Sequence, residues 1–413
     1  MLGSPDHHIA AEAVAAVACP VDDGTGGLLN TLIRAGRWLW SLSAPWAWTT
    51  LLWGILAFPA HGAVGLTEKE MRLLSTAVEQ IRTHGLVAPQ SNQRLLDDML
   101  RSYLHSLDDY SDYLTAREYG AFLESTSADY FGVQMDLQKR NGTMLLFPFR
   151  GGLAEKSGIV AGDELIAVNG APVYGKSVYA VGASIRGAEG ETVLLTLRSG
   201  HSLPRSLSLR RQKTHYQTVS RVTVAAAHSI QIARFTEETE AQLRRILTGI
   251  GDDNRPLLVD LRRNQGGSLI SARQCADLFV AQGTVLFRLR DREGVRAIVA
   301  EHPSLTGRPL LLLQDSSTAS AAEAFIASLT GNGRARSIGE RSYGKGLAQR
   351  FLPLPDGSAL MLTYAEILTP GSVSWHEKGL APDIQLPPEH LEHDFSESAS
   401  VSALLDLINI HQE

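Results

Sequence analysis

Two continuous apolar runs constrain the fold of this chain more than any other feature. They lie at residues 256–261 (PLLVDL) and 309–313 (PLLLL), and a segment with helical character follows each run, at about 268–280 and 319–329. A strand without alternating polar residues is typical of a sheet that helices cover on both faces. The sequence therefore predicts an α/β core over residues 213–390, with parallel strands at its centre.

Composition narrows the class of protein. The 413 residues leave room for two or three domains. The net charge of -6 argues against a nucleic-acid-binding protein, which would normally show a basic face. The two cysteines, Cys19 and Cys275, lie in unlike contexts, so the sequence predicts neither a disulfide framework nor a cysteine metal site.

An uncharged segment lies near the N-terminus. Residues 38–63 form an apolar run long enough to span a bilayer, which takes ~20 residues, and Arg34 and Arg37 precede it. Residues 1–37 are predicted to be a cytoplasmic segment, as the arginines indicate, or part of a leader. Residues 60–63 (AHGA) resemble a cleavage site, so the segment is interpreted as a signal peptide or as an uncleaved membrane anchor.

Both interpretations predict the same location. The chain after residue 65 would lie in the periplasm or at the extracytoplasmic face of the inner membrane, with the membrane as a partner if residues 38–63 are not cleaved. Only a buried soluble helix at 38–63 would leave an intracellular α/β enzyme as the alternative.

The next region is predicted to be helical. Residues 67–70 (TEKE) and 115–118 (TARE) are capping-box patterns, and the first precedes apolar residues at helical spacing. We therefore assign residues 65–129 to an N-terminal helical region. Its helices, and a short helix at 400–410 in the polar tail 391–413, are candidates for a homo-oligomer interface or for intramolecular packing.

Residues 130–212 change to short strands with a helix near 178–185. The order of these elements, with residues 158–170 (GIVAGDELIAVNG) among them, resembles a PDZ domain. The resemblance implies that an extended peptide C-terminus adds as a strand and that backbone N–H groups hold its carboxylate. The residues at the position of that carboxylate-binding loop are Tyr130, Phe131, Gly132 and Val133.

Two turns at the carboxyl ends of the predicted strands hold residues suited to chemistry. Gly266 and Gly267 follow the first strand and could leave N–H groups free to bind a negative charge, although an ordinary tight turn would use them equally well. Ser320 opens the helix after the second strand. Glu323 completes a capping box with it, so a helix cap alone would explain this serine.

Lys345 is the third such residue. It lies between Gly344 and Gly346, where it is either a surface lysine or a desolvated amine that has lost its proton. A neutral amine beside a serine hydroxyl can act as its general base.

Together these residues form a pattern that resembles a known family. The segment 317–349 is similar to the signature of the carboxy-terminal processing peptidases, in which a lysine follows the serine by 25 positions and a glutamine follows the lysine by 4. Ser320, Lys345 and Gln349 match all three positions. The resemblance extends over residues 68–386 and includes LLVDLRRNQGG, ILTPG, GLAPDI and, before the PDZ-like domain, the entry motif LDDYSDYL at 107–114.

The resemblance implies a fold and a mechanism. The fold is an α/β peptidase core with a mixed, partly parallel sheet, joined to a β-rich PDZ-like domain and an N-terminal helical segment. Ser320 would attack the peptide bond, Lys345 would accept its proton, and Gln349 would orient Lys345. The N–H groups of Gly267 and Ala321 would form the oxyanion hole, and neither a metal nor an organic cofactor is implied.

The implied substrates are proteins with exposed apolar C-termini, which the PDZ-like domain would bind while it gates the site, with an adaptor protein as a further candidate partner. Five positions depart from the family pattern, which indicates a divergent branch. Gln265 replaces a proline, Ala322 a serine, Asp109–Tyr110 a Pro-His pair, and Gly331 an aspartate.

Three alternatives remain at the level of sequence. The chain could be a membrane-tethered PDZ scaffold on an inactive peptidase-like core, although the intact serine, lysine, glutamine and double glycine argue against it. A Ser/His/Asp triad could use His302 or His376, which otherwise are surface histidines. The tail 389–394 has metal-ligand residue types but no zinc-helix motif, so a solvated polar tail is favoured over a metal site.

Overall fold

In the computed structural model of the chain, the described residues are 65–87, 91–126, 129–140, 142–149, 151–215, 218–223, 227–251, 253–387, 390, 402 and 404. They fall into two units, residues 1–95 and 96–413. Segments 1–37 and 38–63 and almost all of the tail 391–413 lie outside the described residues. Across the part of the chain that is described, no helix combines the length and apolar character needed to cross a membrane.

The N-terminal region is mainly helical, as predicted. Its helices are α1 (Glu68–His84), α2 (Asn92–His105) and α3 (Ala116–Thr126). One part of the prediction was wrong, because β1 (Asp112–Leu114) is a strand that pairs antiparallel with residues 359–361 of the core. A partner so distant in sequence cannot be recognised from local capping and spacing.

The PDZ-like domain is a small antiparallel sheet with two helices. Its elements, in chain order, are β2 (Asp129–Gly132), β3 (Met135–Arg140), β4 (Thr143–Pro148), α4 (Leu153–Lys156), β5 (Asp163–Val168), β6 (Ala171–Pro172), α5 (Val178–Ile185), β7 (Thr192–Arg198), β8 (Arg205–Arg210) and β9 (Gln212–His215). The sheet order is β3-β4-β5-β7-β8, and β6 pairs with β5. The predicted helix near 178–185 is confirmed as α5, and the predicted short strands make up most of the rest of the domain.

Two features of this domain concern its margins, namely a separate ribbon and an edge strand. Strands β2 and β9 pair antiparallel as a separate ribbon where the chain enters and leaves the domain. Strand β3 lies at one edge of the sheet.

The core contains the predicted parallel sheet. Its elements are β10 (Val219–Thr223), β11 (His228–Ile232), α6 (Thr239–Thr248), β12 (Leu257–Asp260), α7 (Leu269–Asp277), β13 (Val285–Asp291), β14 (Gly294–Val299), β15 (Leu310–Gln314), α8 (Ala321–Thr330), β16 (Arg336–Gly339), β17 (Leu347–Pro353), β18 (Ala359–Leu368) and β19 (Ile384–Gln385). In the order β10-β11-β12-β15-β16-β19 only the β10–β11 pair is antiparallel. A second, antiparallel sheet joins β1, β18, β13 and β14, with β17 paired to β18.

Both faces of the parallel sheet are covered, which explains the continuous apolar runs. On β12, Leu257 and Val259 pack into the main core together with residues of α6, α7 and α8. Leu258 points to the opposite face and packs there with Leu313 and Ile338. Because side chains alternate across a strand, a strand with both faces buried needs apolar residues at every position.

The two faces of β7 predict different costs of truncation. Leu195 is fully buried in the PDZ-like core, so Leu195→Ala is expected to lower the free energy of unfolding of this domain by about 2–5 kcal/mol. Leu194 is 40% exposed on the other face, and Leu194→Ala is expected to cost about 0.5 kcal/mol or less. Hydrogen exchange of the β5 and β7 amides measures the effect in this domain alone. Equal losses for both variants would contradict the assigned faces.

Candidate active site

Ser320 occupies a strained turn between β15 and α8. Its backbone has φ 59 and ψ -119, and the side chain is half-buried. A residue at a helix N-cap normally has extended backbone angles, and a non-glycine residue at positive φ costs about 1–3 kcal/mol. Such strain at a strand-to-helix turn is typical of a nucleophile that is held out from the backbone. The geometry therefore distinguishes Ser320 from an ordinary helix cap.

The buried Glu323 carboxylate connects Ser320 to the loop of residues 342–345, here called the lysine loop. Its Oε2 accepts hydrogen bonds from the backbone N–H groups of Ser320 and Lys345, both at 2.8 Å. The backbone nitrogens of Ser320 and Lys345 therefore lie at most twice 2.8 Å from each other. Its Oε1 accepts from the Gly344 N–H at 2.7 Å and from the Ser342 hydroxyl at 2.6 Å.

The sequence analysis interpreted Glu323 only as the partner of a helix cap. The capping bond to Ser320 is present, but three of the four donors come from the loop of residues 342–345. Burial raises the pKa of the Glu323 carboxyl, whereas the four hydrogen bonds favour its ionised form. Glu323 is thus the site residue that sequence reasoning missed, and its place in the capping box was the only signal for it.

Lys345 has the environment of a general base. Burial lowers its pKa to about 8, and the negative charges of Glu323 and Asp108 oppose that shift. Its Nζ lies 5.0 Å from the centroid of the Tyr110 ring. At mildly alkaline pH, close to this pKa, a substantial fraction of this amine is therefore uncharged and able to accept a proton.

Gln349 lies on β17, close to the same group of residues. Its Nε2 donates to Thr363 Oγ1 at 3.3 Å, and Thr363 Oγ1 donates to Asp108 Oδ1 at 3.0 Å. The predicted role of Gln349 in orienting Lys345 stays a prediction.

The double glycine packs against the serine turn. A Cβ on Gly266 would lie 2.9 Å from Ala321 N and from Ser320 Cβ, and a Cβ on Gly267 would lie 2.1 Å from Phe235 O. Both glycines have positive φ, at +99 and +126. Glycine at position 266 thus lets the backbone approach the serine turn, and glycine at position 267 lets it approach Phe235.

The two predicted oxyanion donors, Gly267 and Ala321, directly follow the residues that meet in this contact, Gly266 and Ser320. Among the described residues, the N–H groups of Gly267 and Ala321 have no protein acceptor. Free N–H groups beside a nucleophile can bind the negative charge that develops during acyl transfer. Their role stays a prediction that this arrangement supports.

The predicted carboxylate-binding residues lie at the start of the PDZ-like domain. Tyr130, Phe131 and Gly132 belong to β2, where they pair with residues 212–214 of β9. Val133 is buried in the PDZ-like core, and its carbonyl accepts from the Ala154 N–H. Their role in binding a carboxylate stays a prediction.

The two histidines have different surroundings. His302 Nδ1 lies 2.7 Å from Asp277 Oδ2, and its side chain is 62% exposed. His376 is half-buried, and its Nδ1 lies 3.3 Å from the Gly344 carbonyl. Neither histidine contacts Ser320 through a hydrogen bond among the described residues. Of the candidate metal residues 389–394, only His390 is among the described residues.

Comparison with known proteins gives the family. Residues 228–386 match peptidase family S41, and residues 150–199 match a PDZ domain. The carboxy-terminal processing protease CtpA of Bacillus subtilis (strain 168) is 31% identical over 317 residues, which are 76% of this chain and 68% of that protein. The chain belongs to peptidase family S41.

Two further matches agree with this membership. A probable CtpA-like serine protease of Staphylococcus aureus (strain N315) is 31% identical over 284 residues, 68% of this chain and 57% of that protein. The chain thus spans less than two thirds of that relative. The photosystem II D1 C-terminal processing protease has a TM-score of 0.65 at 27% identity, covering 81% of this chain and 97% of that structure. The predicted fold class is thereby confirmed.

Replacement of Glu323 tests the connection between the serine turn and the lysine loop. Glu323→Gln replaces one carboxylate oxygen by an NH₂ group, which cannot accept from the two donors that it would face. We therefore expect the free energy of unfolding to fall by about 1–3 kcal/mol. Hydrogen exchange at the Gly344 and Lys345 amides should accelerate with it. Glu70→Gln is the matched control, because the exposed Glu70 closes only its own capping box at Thr67. Unchanged exchange in residues 342–345 would disprove the connection.

Proposed function

We propose that this chain is a serine endopeptidase of the cell envelope that cleaves proteins with exposed apolar C-termini. The observation that carries the proposal is the shared Glu323 carboxylate, which holds the strained Ser320 beside a lysine whose pKa burial lowers to about 8. Membership of peptidase family S41 supports the same reaction class.

The reaction would proceed through an acyl-enzyme. Ser320 Oγ attacks the peptide carbonyl carbon while its proton passes to the neutral Nζ of Lys345. The resulting oxyanion accepts hydrogen bonds from Gly267 and Ala321, each typically worth about 3 kcal/mol. The C–N bond then breaks, and the leaving amine takes the proton from Lys345. Lys345 then takes a proton from a water molecule as its oxygen attacks the ester carbonyl, and the ester C–O bond breaks while Ser320 Oγ takes that proton back from Lys345.

The dyad is tested by comparing the wild type with Ser320→Ala and Lys345→Ala. The assay uses the full chain, purified in mild detergent, and an unfolded substrate with an apolar C-terminus. We expect both variants to stay folded and to lose cleavage by more than about 10³-fold. Equal cleavage by all three proteins would disprove the dyad. A folded wild type that binds the apolar peptide without cleaving it would instead indicate the inactive scaffold.

The pH dependence gives a second test of Lys345. The base must be neutral, so kcat/KM should rise as pH increases through about 8, the pKa to which burial lowers this amine. An ordinary surface lysine would place that rise near its usual pKa of 10.5. A profile that is flat from pH 7 to about 9 would contradict Lys345 as the base.

The proposed peptide-binding edge of the PDZ-like domain is strand β3. Within the described residues β3 pairs only with β4, which leaves its other edge for a strand of substrate. Strand β3 also contacts the core. Asp136 Oδ1 accepts from Arg234 Nη1 at 2.5 Å, and the Lys139 carbonyl accepts from the Tyr343 hydroxyl at 3.4 Å.

These contacts support the proposed gating by the PDZ-like domain. Tyr343 belongs to the lysine loop, and the Arg140 guanidinium lies 5.5 Å from the centroid of its ring. A peptide that adds to β3 would therefore act next to the residue that precedes Gly344 and Lys345.

Arg140→Ala combined with Asp136→Ala tests the gating. We expect the wild type to prefer an apolar over a charged substrate C-terminus in both KM and kcat. In the double variant, the ratio of KM between the two substrates, which reports tail binding, should stay the same. The ratio of kcat between them should fall about ten-fold. Lys139→Ala is the control, since Lys139 contacts Tyr343 through its backbone carbonyl. A kcat preference that survives the double change would argue against gating through this contact.

The cell-envelope location rests on residues 38–63 and stays part of the proposal. Its partners would be protein substrates bound by their C-termini, with an adaptor or a second copy of the chain as further candidates. Fractionation of cells that express the full chain separates an anchored protein from a released one.

A further inference from the structure

The turn Asp108–Ser111, part of the entry motif in the sequence, lies against the lysine of the site. The Tyr110 ring centroid is 5.0 Å from Lys345 Nζ. The Tyr110 ring also lies near the His376 ring, with centroids 6.0 Å apart. This tyrosine stands where the family pattern has a histidine, and no step of the proposed reaction uses it.

One carboxylate fixes the backbone of this turn. Asp108 Oδ1 accepts from the backbone N–H groups of Tyr110 and Ser111, both at 2.7 Å. Asp108 Oδ2 accepts from the Ser111 hydroxyl at 2.6 Å. Burial alone would raise the pKa of Asp108, but these donors lower it below its ordinary value, so the carboxylate is ionised.

The same carboxylate reaches the strands that follow Lys345. Asp108 Oδ1 also accepts from Thr363 Oγ1 at 3.0 Å, and Ser111 Oγ accepts from the Thr363 N–H at 3.1 Å. Thr363 Oγ1 in turn accepts from Gln349 Nε2 at 3.3 Å. Tyr110 and Gln349 are therefore both tied to Asp108, Tyr110 through the backbone of the turn and Gln349 through Thr363.

We propose that Tyr110 is a positioning residue for Lys345 and that Asp108 fixes Tyr110 in place. The inference rests on the proposed function, because it gives Tyr110 a role only if Lys345 is the base. The face of an aromatic ring attracts an ammonium group. Tyr110 therefore restrains Nζ and stabilises the cation that Lys345 becomes after it takes the serine proton.

Tyr110 acts here through its ring and not as an acid. Burial raises the pKa of Tyr110 to about 12, with Tyr343 and Asp109 adding to the shift, so the hydroxyl keeps its proton. Several ionisable groups surround Tyr110 and Lys345. They are Glu323 on α8, Tyr343 on the lysine loop, Asp108 and Asp109 on the turn, and His376 and Glu377 on the loop before Gly379.

Two kinds of change separate positioning from packing. Tyr110→Leu keeps an apolar side chain in place but removes the ring face, and Asp108→Asn removes a negative charge that favours the ammonium. Both should lower the pKa of Lys345. If Tyr110 only packs the site, its loss would let water reach Lys345 and would raise that pKa toward its ordinary value.

The measurement is the pH dependence of Lys345 acetylation by trace acetic anhydride, followed by mass spectrometry. It uses the full chain with Ser320→Ala as the parent, so that cleavage plays no part in the readout. We expect a pKa of about 8 in the parent and a decrease of about half a unit to one unit in Tyr110→Leu and in Asp108→Asn. Tyr110→Phe keeps the ring and should match the parent.

Asp356→Asn is the matched control for Asp108. Asp356 accepts from the Ser358 N–H and hydroxyl in a turn of the same kind, and it is not among the charges that act on Lys345. It should leave the Lys345 pKa unchanged. An unchanged or raised pKa in folded Tyr110→Leu would overturn the inference. Cleavage that survives Lys345→Ala would instead overturn the proposed function, whatever the labelling shows.

Discussion

The site depends on the four hydrogen bonds that converge on the Glu323 carboxylate. An isolated buried carboxylate is costly, but one whose two oxygens each accept two hydrogen bonds is largely compensated. Because three of the four donors are backbone N–H groups, the carboxylate fixes the path of the chain and leaves the reactive side chains free. The separation of Ser320 from Lys345 is thereby set by backbone geometry, which fluctuates less than two long side chains would.

The same compactness explains why glycines surround the site. A Cβ on Gly379 would lie 2.1 Å from the Ser342 carbonyl oxygen, and one on Gly339 would lie 2.0 Å from that of Gln314. Gly339 and Gln314 are paired residues at the carboxyl ends of β16 and β15, whereas the Gly379–Ser342 and Gly267–Phe235 contacts join residues of loops. The strain at Ser320 persists because the loops on both sides of it are fixed by such close contacts.

Much of this arrangement can be predicted from sequence, and the failures have a common cause. The parallel strands follow from local apolar runs, and the fixed spacing of Ser320 and Lys345 carries the resemblance to the family. What the sequence does not contain is the identity of distant partners. Glu323 is visible as a capping residue, but its bonds to the lysine loop are not. Asp112–Leu114 fails for the same reason, since its strand exists only through pairing with residues 359–361.

The lysine loop is held unequally on its two sides, and this difference makes the proposed gating physically reasonable. Toward α8, three short and mostly buried hydrogen bonds hold it to Glu323. Toward the PDZ-like domain, Tyr343 makes one 3.4 Å hydrogen bond to β3. The nearby Arg234–Asp136 ion pair is partly exposed and of a kind worth about 0–1 kcal/mol.

A ligand shifts an equilibrium only by its difference in affinity for the two states. A peptide that adds several main-chain hydrogen bonds to β3 can supply enough binding free energy to displace the weak contacts of Tyr343 and Asp136. The hydrogen bonds to Glu323 would resist such a displacement. Binding at the PDZ-like domain could therefore change the position of Tyr343 while Ser320 and the Lys345 backbone stay connected.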